Sequence, residues 1–132
     1  MTNKLRVGIV GAGNIGNAVA QYPPFSREGF RTLAMFDVDQ AKVGSEMGGI
    51  PVYSVDTLEA YLKENHVDIA VLALPASSSQ ATFDTVVSCG VKAVWNFSPV
   101  DLMHGQDVTV VNVHLSDTLQ ILSYKMAHMR RP

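Results

Sequence analysis

Three glycines near the start of the chain have a spacing that suits the binding of a phosphate group. Gly11, Gly13 and Gly16 form a G-x-G-x-x-G motif after a short apolar run. In such a motif the first glycine permits a tight turn, the second lets a diphosphate approach the backbone, and the third lets a helix pack closely on a strand. N–H groups of a first helical turn have no partner within the helix and carry the positive end of its dipole. The motif therefore predicts a pyrophosphate site at Gly11, Ala12, Gly13, Asn14, Ile15 and Gly16.

An acidic residue follows the next apolar run of the chain. Residues 32–36 form that run, and Asp37 comes directly after it. A carboxylate at this distance from a glycine motif accepts hydrogen bonds from a ribose 2′-hydroxyl and repels a 2′-phosphate. The two features together predict a site for NAD rather than NADP. In the alternative interpretation, the glycines only form a tight turn and Asp37 only caps the next helix.

Strands and helices must alternate along the chain to position these residues. Asp56 and Glu59 have the spacing of a capping box, and Ser77 or Ser78 is expected to cap a further helix. Strands that alternate with helices predict an α/β fold with one doubly wound parallel sheet of about six strands and right-handed crossovers. The expected strands are residues 5–10, 32–36, 50–53, 69–74, 91–95 and 108–113, and the expected helices are 14–22, 41–47, 56–65, 78–89 and 115–129.

Two loops follow the fourth and fifth expected strands, at the same carboxyl edge of the sheet as the glycine motif. Ligands of open α/β sheets bind along this edge. We therefore expect both loops to frame the nicotinamide half of a bound dinucleotide. Their side chains are mostly apolar, and the residues are Leu74, Pro75 and Ala76 in the first loop and Asn96, Phe97, Ser98 and Pro99 in the second.

The composition is that of one folded domain without a strong preference for an anionic or a lipid partner. Its 132 residues are 47% hydrophobic and 17% charged, with a formal net charge of −2. A free-standing nucleic-acid binder needs a basic surface, and a membrane span needs about 20 apolar residues, so neither is expected. Cys89 is the only cysteine, which excludes an internal disulfide and favours a reducing compartment. We expect a cytoplasmic protein with a single domain over residues 1–132 and no metal site.

Six segments of the chain resemble, in the same order, the C-terminal Rossmann domain of the Rex redox-sensing transcriptional repressors. The resemblance covers about residues 5–124, and it is carried most specifically by FDVDQAKVG, NFSPV and LQILSY. It implies a regulatory domain that binds NAD, prefers NADH to NAD+ and responds to the NADH/NAD+ ratio. The segments are VGAGNIGNAVAQYPPF, FDVDQAKVG, GGIPVY, DIAVLALPA, GVKAVWNFSPVDL and VNVHLSDTLQILSY.

The resemblance also implies roles for single residues. The glycine motif would hold the pyrophosphate, Asp37 the adenine ribose, and Tyr22 with residues 97–99 the nicotinamide. Rex family members are homodimers that exchange their last helix, which implies a homodimer formed through residues 115–129. The residues expected to contact the partner subunit are His114, Leu115, Leu119 and Leu122.

Two features depart from the Rex pattern. Family members have an N-terminal winged-helix domain that binds DNA, and no segment of this sequence resembles it. We therefore expect no direct binding to nucleic acid by this chain alone. Family members also usually have an aspartate where this chain has His114. That aspartate takes part in redox-dependent contacts near the nicotinamide.

Two other functions remain open from the sequence. Related folds use a similar glycine turn to bind CoA, so a CoA-binding domain is one alternative. A small NAD-dependent oxidoreductase is the other, although hydride transfer needs a substrate pocket and a positioned acid or base. Only one helix is expected after the last strand, which leaves no substrate domain. We therefore expect a regulator and not an enzyme.

Overall fold

The computed structural model describes residues 4–22 and 28–113, which form seven strands and three helices. Strands and helices alternate only in part, because residues 30–54 form three successive strands and residues 93–112 form two. A single 3₁₀ turn, Val55–Thr57, leads into the second helix. In chain order the elements are β1 Leu5–Val10, α1 Asn14–Gln21, β2 Phe30–Asp37, β3 Glu46–Met47, β4 Ile50–Ser54, α2 Leu58–Glu64, β5 Ile69–Leu72, α3 Ala76–Ser88, β6 Ala93–Asn96 and β7 Thr109–Asn112.

All seven strands lie in one sheet, in the order β3-β4-β2-β1-β5-β6-β7. Every pairing is parallel except that of β3 with β4. The chain first moves outward from β1 to β2 and β4, then returns to β5 on the other side of β1 and continues to β7. The order therefore reverses between β1 and β5, where open α/β sheets bind their ligands. The predicted doubly wound parallel sheet is confirmed, whereas the expected dimerisation helix at residues 115–129 lies outside the described residues.

A row of backbone hydrogen bonds aligns the carboxyl ends of the inner strands. In each of them, the first residue beyond one strand donates its N–H to a carbonyl near the end of the neighbouring strand. These bonds extend the ladders into the loops, so the loops begin at the same level. They join Gly11 N to Phe36 O (2.7 Å), Ala73 N to Val10 O (2.9 Å), Phe97 N to Leu72 O (2.8 Å) and Val113 N to Asn96 O (2.8 Å).

The sheet is covered differently on its two faces. Helices α2 and α3 cover one face, where Leu62 and Phe83 pack with residues of the central strands in a large buried cluster. Helix α1 covers the other face over β1 and β2, and its Val19 packs near Val7 and Ile9, which are both 0% exposed. Among residues 4–22 and 28–113, no helix covers this second face over β6 and β7.

The helix expected at residues 41–47 is wrong. Residues 40–44 form turns, and Glu46–Met47 form strand β3, which pairs antiparallel with β4. Gly48 and Gly49 connect these strands with φ angles of +59° and +85°. Positive φ at both central residues is what a tight two-residue hairpin turn requires. The glycines therefore close a hairpin instead of ending a helix.

The expected helix caps are also wrong. Helix α3 begins after Pro75 without a side-chain cap, and the hydroxyl of Ser78 donates to Pro75 O instead of accepting from the helix. The 3₁₀ turn before α2 is capped by Ser54, whose hydroxyl oxygen accepts from Asp56 N at 3.2 Å. Glu59 pairs with Lys63 at 3.0 Å. The element therefore begins two residues earlier than the capping-box spacing implies.

A carboxylate joins β1 to β5 at the amino edge of the sheet, opposite the glycine motif. Asp68 Oδ2 accepts from Arg6 N at 2.7 Å, and Asp68 Oδ1 lies 2.6 Å from His66 Nε2. Arg6 Nε donates to His66 O at 2.7 Å. The Arg6 backbone N–H holds the pKa of Asp68 below its ordinary value, and the hydrogen bond and charge of His66 act in the same direction.

The lowered pKa of Asp68 predicts a pH-dependent contribution to stability. A depressed carboxyl pKa stabilises the fold above the unfolded-state value, about 3.9, and this contribution disappears as the pH falls through the folded-state value. We expect Asp68→Asn to lower the free energy of unfolding by about 1 kcal/mol at pH 7. In urea unfolding, the difference from the parent should disappear as the pH falls through the lowered folded-state pKa of Asp68. The exposed Glu64→Gln serves as control, and an equal loss in both variants would contradict the assignment.

Candidate functional site

The glycine motif forms a turn that no other residue type would fit at two of its positions. Gly11 has φ +110°, and a Cβ there would lie 2.3 Å from the backbone oxygen of Ala73. A Cβ at Gly16 would lie 1.8 Å from the oxygen of Gly11. Without side chains at Gly11 and Gly16, the end of β1, the start of α1 and the loop after β5 can pack closely against one another. Gly13, by contrast, is exposed and has no described atom within 4 Å of a Cβ position.

The start of α1 is open to a ligand. Gly13 is the residue before the helix, and among the described residues no side chain caps it and no acidic residue occupies the first turn. The first helical hydrogen bond runs from Asn17 N to Gly13 O at 2.9 Å. Gly13, Asn14 and Ile15 are all exposed. The N–H groups that a helix leaves unpaired at its start therefore face an accessible surface, as an anion site requires.

The carboxylate of Asp37 lies against this turn. Its Oδ2 accepts from Ala12 N at 2.8 Å, and its Oδ1 accepts from Asp39 N at 2.9 Å. Asp37 is partly buried, and each carboxylate oxygen can accept a second hydrogen bond. No helix follows directly, since residues 40–44 form turns. Asp37 therefore does not cap a helix, and its free acceptor positions lie beside the glycine turn.

Lys42 is a neighbour of the site that sequence reasoning missed. Its Nζ donates to Ala12 O at 3.1 Å, across a separation of 30 residues in the chain. The two backbone polar groups of Ala12 are thus held by two charged side chains, the N–H by Asp37 and the carbonyl by Lys42. The assignment of residues 41–47 to a helix concealed this contact. The only available signal was the position of a cation five residues after the acidic residue, within FDVDQAKVG.

A buried amide fixes the loop after β6. Asn96 is 0% exposed, its Nδ2 donates to Val100 O (2.8 Å) and to Asn112 Oδ1 (2.9 Å), and its Oδ1 accepts from Ser98 N (3.0 Å). The Ser98 hydroxyl in turn accepts from Leu74 N at 3.2 Å. These polar groups of Asn96 and Ser98 are therefore engaged in hydrogen bonds that hold the two loops together. Their contact with a cofactor stays a prediction.

The remaining loop residues face the edge of the sheet. Pro75, Ala76 and Pro99 are exposed, while Leu74 and Phe97 are partly buried. The structure thus places the glycine turn, Asp37 and both loops along one carboxyl edge, as the sequence predicts for a ligand site. Exposed Val38, which directly follows Asp37, extends this edge with an apolar side chain that is 73% exposed.

Tyr22 lies apart from the glycine turn. It stands at the other end of α1, and the helix separates it from Gly13 by about 13.5 Å along the axis. Tyr22 is 59% exposed and borders an apolar groove of about 550 Å³. Its role at the nicotinamide stays a prediction. The predicted partner contacts His114, Leu115, Leu119 and Leu122 lie outside the described residues.

The groove lies on the α1 face of the sheet, over β5, β6 and β7. Trp95 is its largest side chain and packs against Phe97, with ring centroids 4.8 Å apart and ring planes tilted by 52°, while Val111 is 54% exposed. The alternation of residues along β6 places Ala93 and Trp95 on this face, a signal from which the sequence could have yielded Trp95. The lining residues are Tyr22, Glu28, Phe30, Ile69, Ala93, Val94, Trp95, Thr109 and Val111.

Within residues 4–22 and 28–113, no three His, Cys, Asp or Glu side chains come together as metal ligands. No helix in this part of the chain is long and apolar enough to cross a bilayer.

Comparison with known proteins identifies relatives over nearly the whole chain. Residues 2–100 match the family described as the CoA binding domain. The chain is 44% identical over 126 residues to the redox-sensing transcriptional repressor Rex of Clostridium tetani, and 42% identical over 118 residues to that of Caldanaerobacter subterraneus. These alignments cover 96% and 89% of this chain, but 60% and 53% of the relatives. The chain therefore spans little more than half of their length.

Solved structures show the same fold. A crystal structure of RSP, a Rex-family repressor, in complex with β-NADH gives a TM-score of 0.84 at 38% identity, covering 96% of this chain and 61% of that one. RSP in complex with β-NAD+ and operator DNA also gives 0.84 at 38% identity, covering 96% and 58%. An NAD binding oxidoreductase from Klebsiella pneumoniae gives 0.59 at 20% identity, covering 74% and 28%. That last likeness shows a shared fold alone.

The parallel sheet, its switch point between β1 and β5, and the glycine turn define a domain of the Rossmann class. Relatives that are more than 40% identical in sequence identify a more specific family within this class. The chain belongs to the CoA binding domain family, and in sequence and fold it matches the part of the Rex redox-sensing repressors that it spans. The family resemblance found in the sequence is confirmed.

The contrast between Gly16 and Gly13 predicts that the same substitution lowers stability at Gly16 and leaves it almost unchanged at Gly13. Gly16→Ala would place a methyl group 1.8 Å from the oxygen of Gly11, and we expect a loss of about 2 kcal/mol or more in urea unfolding. Gly13→Ala meets no described atom within 4 Å, so stability should stay within about 0.5 kcal/mol of the parent. Equal losses in the two variants would show that the turn is not built as described.

Proposed function

We propose that this domain binds NAD(H), with the diphosphate at the start of α1 and the adenosine ribose at Asp37. The observation that carries the proposal is the hydrogen bond from Ala12 N to Asp37 Oδ2 (2.8 Å) beside the open position of Gly13. This bond places the Asp37 carboxylate, which can accept hydrogen bonds from ribose hydroxyls, next to unpaired N–H groups that can bind a diphosphate. A dinucleotide requires both. The RSP complexes with β-NADH and β-NAD+ support the same ligand class for this chain.

The loops at the far end of the site favour the reduced cofactor. Nicotinamide carries a positive charge when oxidised and none when reduced. The side chains of Leu74, Pro75, Ala76, Phe97 and Pro99 are all uncharged. A site lined by such groups imposes a desolvation cost on the charged ring and little on the neutral one. A difference of about 3 kcal/mol corresponds to a preference on the order of a hundredfold for NADH.

The domain serves, in this proposal, as the redox-sensing part of a repressor. RSP has been crystallised with operator DNA, whereas the present chain spans little more than half of its Rex relatives and has a net charge of −2. A DNA-binding partner or an attached domain would therefore read the state of the cofactor. To switch such an assembly, NADH must bind one arrangement several kcal/mol more tightly than the other.

Such switching also needs subunits that can change their arrangement relative to each other, and a homodimer would supply these subunits. We propose that residues 115–129 of a second copy cover the groove beside Trp95 and Val111. The groove is apolar, it borders β7, and residues 115–129 follow β7 along the chain. Within those residues the apolar positions repeat at helical spacing, at Leu115, Leu119, Leu122, Met126 and Met129.

CoA is the main competing ligand, since it gives its name to the matching family. Its adenosine ribose carries a phosphate, which would lie close to the Asp37 carboxylate if CoA bound as a dinucleotide does. NAD(H) presents hydroxyls there and avoids this repulsion. An oxidoreductase is not favoured by any contact in the described residues, and its likeness to this chain is one of fold.

Thermal shifts with matched ligands test the proposed function. We expect equal concentrations of NADH, NAD+, NADPH and CoA to raise the Tm of the parent protein in that order of effect, with NADH well ahead. Gly13→Ala should keep the parent Tm without ligand and lose most of the NADH shift, because its methyl group occupies the approach to the backbone. A larger shift with CoA than with NADH would overturn the proposal. Equal shifts with NADH and NAD+ would remove the sensing function.

The dimer is tested by a charge placed in the groove. Val111→Asp would bury a carboxylate under the second copy. We expect the dissociation constant of the dimer to rise at least tenfold, because burying an unpaired charge is costly. Gln106→Asp adds the same charge at an exposed loop position and should leave the dimer intact. Analytical ultracentrifugation measures both. A monomeric parent, or a Val111→Asp dimer of parent strength, would contradict the arrangement.

A further inference from the structure

The turn that carries Lys42 is fixed by several hydrogen bonds. Lys42 N and Val43 N donate to Asp39 O at 2.9 and 3.2 Å, and Gly44 N donates to Val52 O of β4 at 2.9 Å. Asp39 is itself tied to the end of β2, since its N–H donates to Asp37 Oδ1. The backbone of Lys42 is therefore held at a defined place beside the carboxylate of Asp37.

The ammonium group of Lys42 retains capacity for a ligand. It is partly buried and donates one hydrogen bond, to Ala12 O at 3.1 Å. An ammonium group has three donors, so two remain. Among the described residues, the ion pairs are Lys63 with Glu59 and His66 with Asp68, and neither involves Lys42. A cation that is not neutralised by an ion pair thus lies at the adenosine end of the proposed NAD(H) site.

Asp37 and Lys42 bear on the same part of a dinucleotide with opposite charge. Both contact Ala12, one through its N–H and one through its carbonyl. The carboxylate repels a phosphate on the adenosine ribose, and the ammonium attracts one. Discrimination between NADH and NADPH therefore depends on the balance between repulsion of a phosphate by Asp37 and its attraction by Lys42, and not on Asp37 alone.

We propose that Lys42 is a second cofactor-binding residue, which donates to the adenosine half of NAD(H) and forms a latent site for a ribose phosphate that Asp37 keeps closed. This inference rests on the proposed function, since it concerns the same site. It predicts that removing the charge of Asp37 opens the site to NADPH, and that this gain requires Lys42. A lysine that only clamped the glycine turn would weaken both dinucleotides equally.

A double-mutant cycle, followed by fluorescence titration with NADH and with NADPH, tests the proposal. Asp37→Asn should raise the affinity for NADPH relative to NADH at least tenfold, and Asp37→Asn with Lys42→Met should abolish most of that gain. Lys42→Met alone should weaken NADH binding about tenfold, and Lys42→Arg should restore most of it because its charge is kept. Lys92→Met, at an exposed position, is the matched control. Asp37→Ser repeats the cycle if Asp37→Asn unfolds.

The possible outcomes separate the two proposals. If the parent protein does not bind NADH, the proposed function fails and the inference fails with it. If the parent binds NADH but the ratio of NADPH affinity to NADH affinity in Asp37→Asn is the same with and without Lys42, the inference alone is overturned. If the ratio changes only while Lys42 is present, Lys42 contacts the adenosine half of the cofactor.

Discussion

The contact between Gly16 and the oxygen of Gly11 is the constraint on which the rest of the site depends. It brings the first turn of α1 against the end of β1, closer than any side chain would permit. Because α1 starts there, its unpaired N–H groups open onto the carboxyl edge of the sheet. The same turn presents both polar groups of Ala12 to Asp37 and Lys42. One close approach of backbone to backbone therefore fixes the anion site and the adenosine end together.

The rest of the edge is rigid because its polar groups are paired within the protein. Asn96 is fully buried, and its side chain forms hydrogen bonds with the loop after β6 and with Asn112 of β7. Ser98 ties that loop to the loop after β5. A buried network of this kind holds a unique arrangement only while every member is satisfied. Loops that are fixed before a ligand arrives lose little entropy on binding.

Local chemistry explains what the sequence could predict. Apolar runs mark the buried strands β1, β2 and β5, and the glycine spacing gives the turn after β1, since both signals arise within a few residues. Residues 41–47 can form a short helix when they are considered alone, whereas pairing with β4 and the Gly48–Gly49 turn favours a hairpin. The contact of Lys42 with Ala12 spans 30 residues, and no local pattern encodes such a meeting.

The two sides of the sheet offer very different prospects for association. At one margin stands β3, which is only two residues long, and so short a strand gives a foreign chain little backbone to pair with. At the opposite margin, β7 carries the exposed Val111, which lies beside the partly buried Trp95 of β6. Two copies that meet through this second margin each use the same patch, and no complementary patch is left over for a third. In the proposed homodimer, growth would therefore stop at a closed pair, and the two-residue strand at the other margin offers little backbone for further pairing.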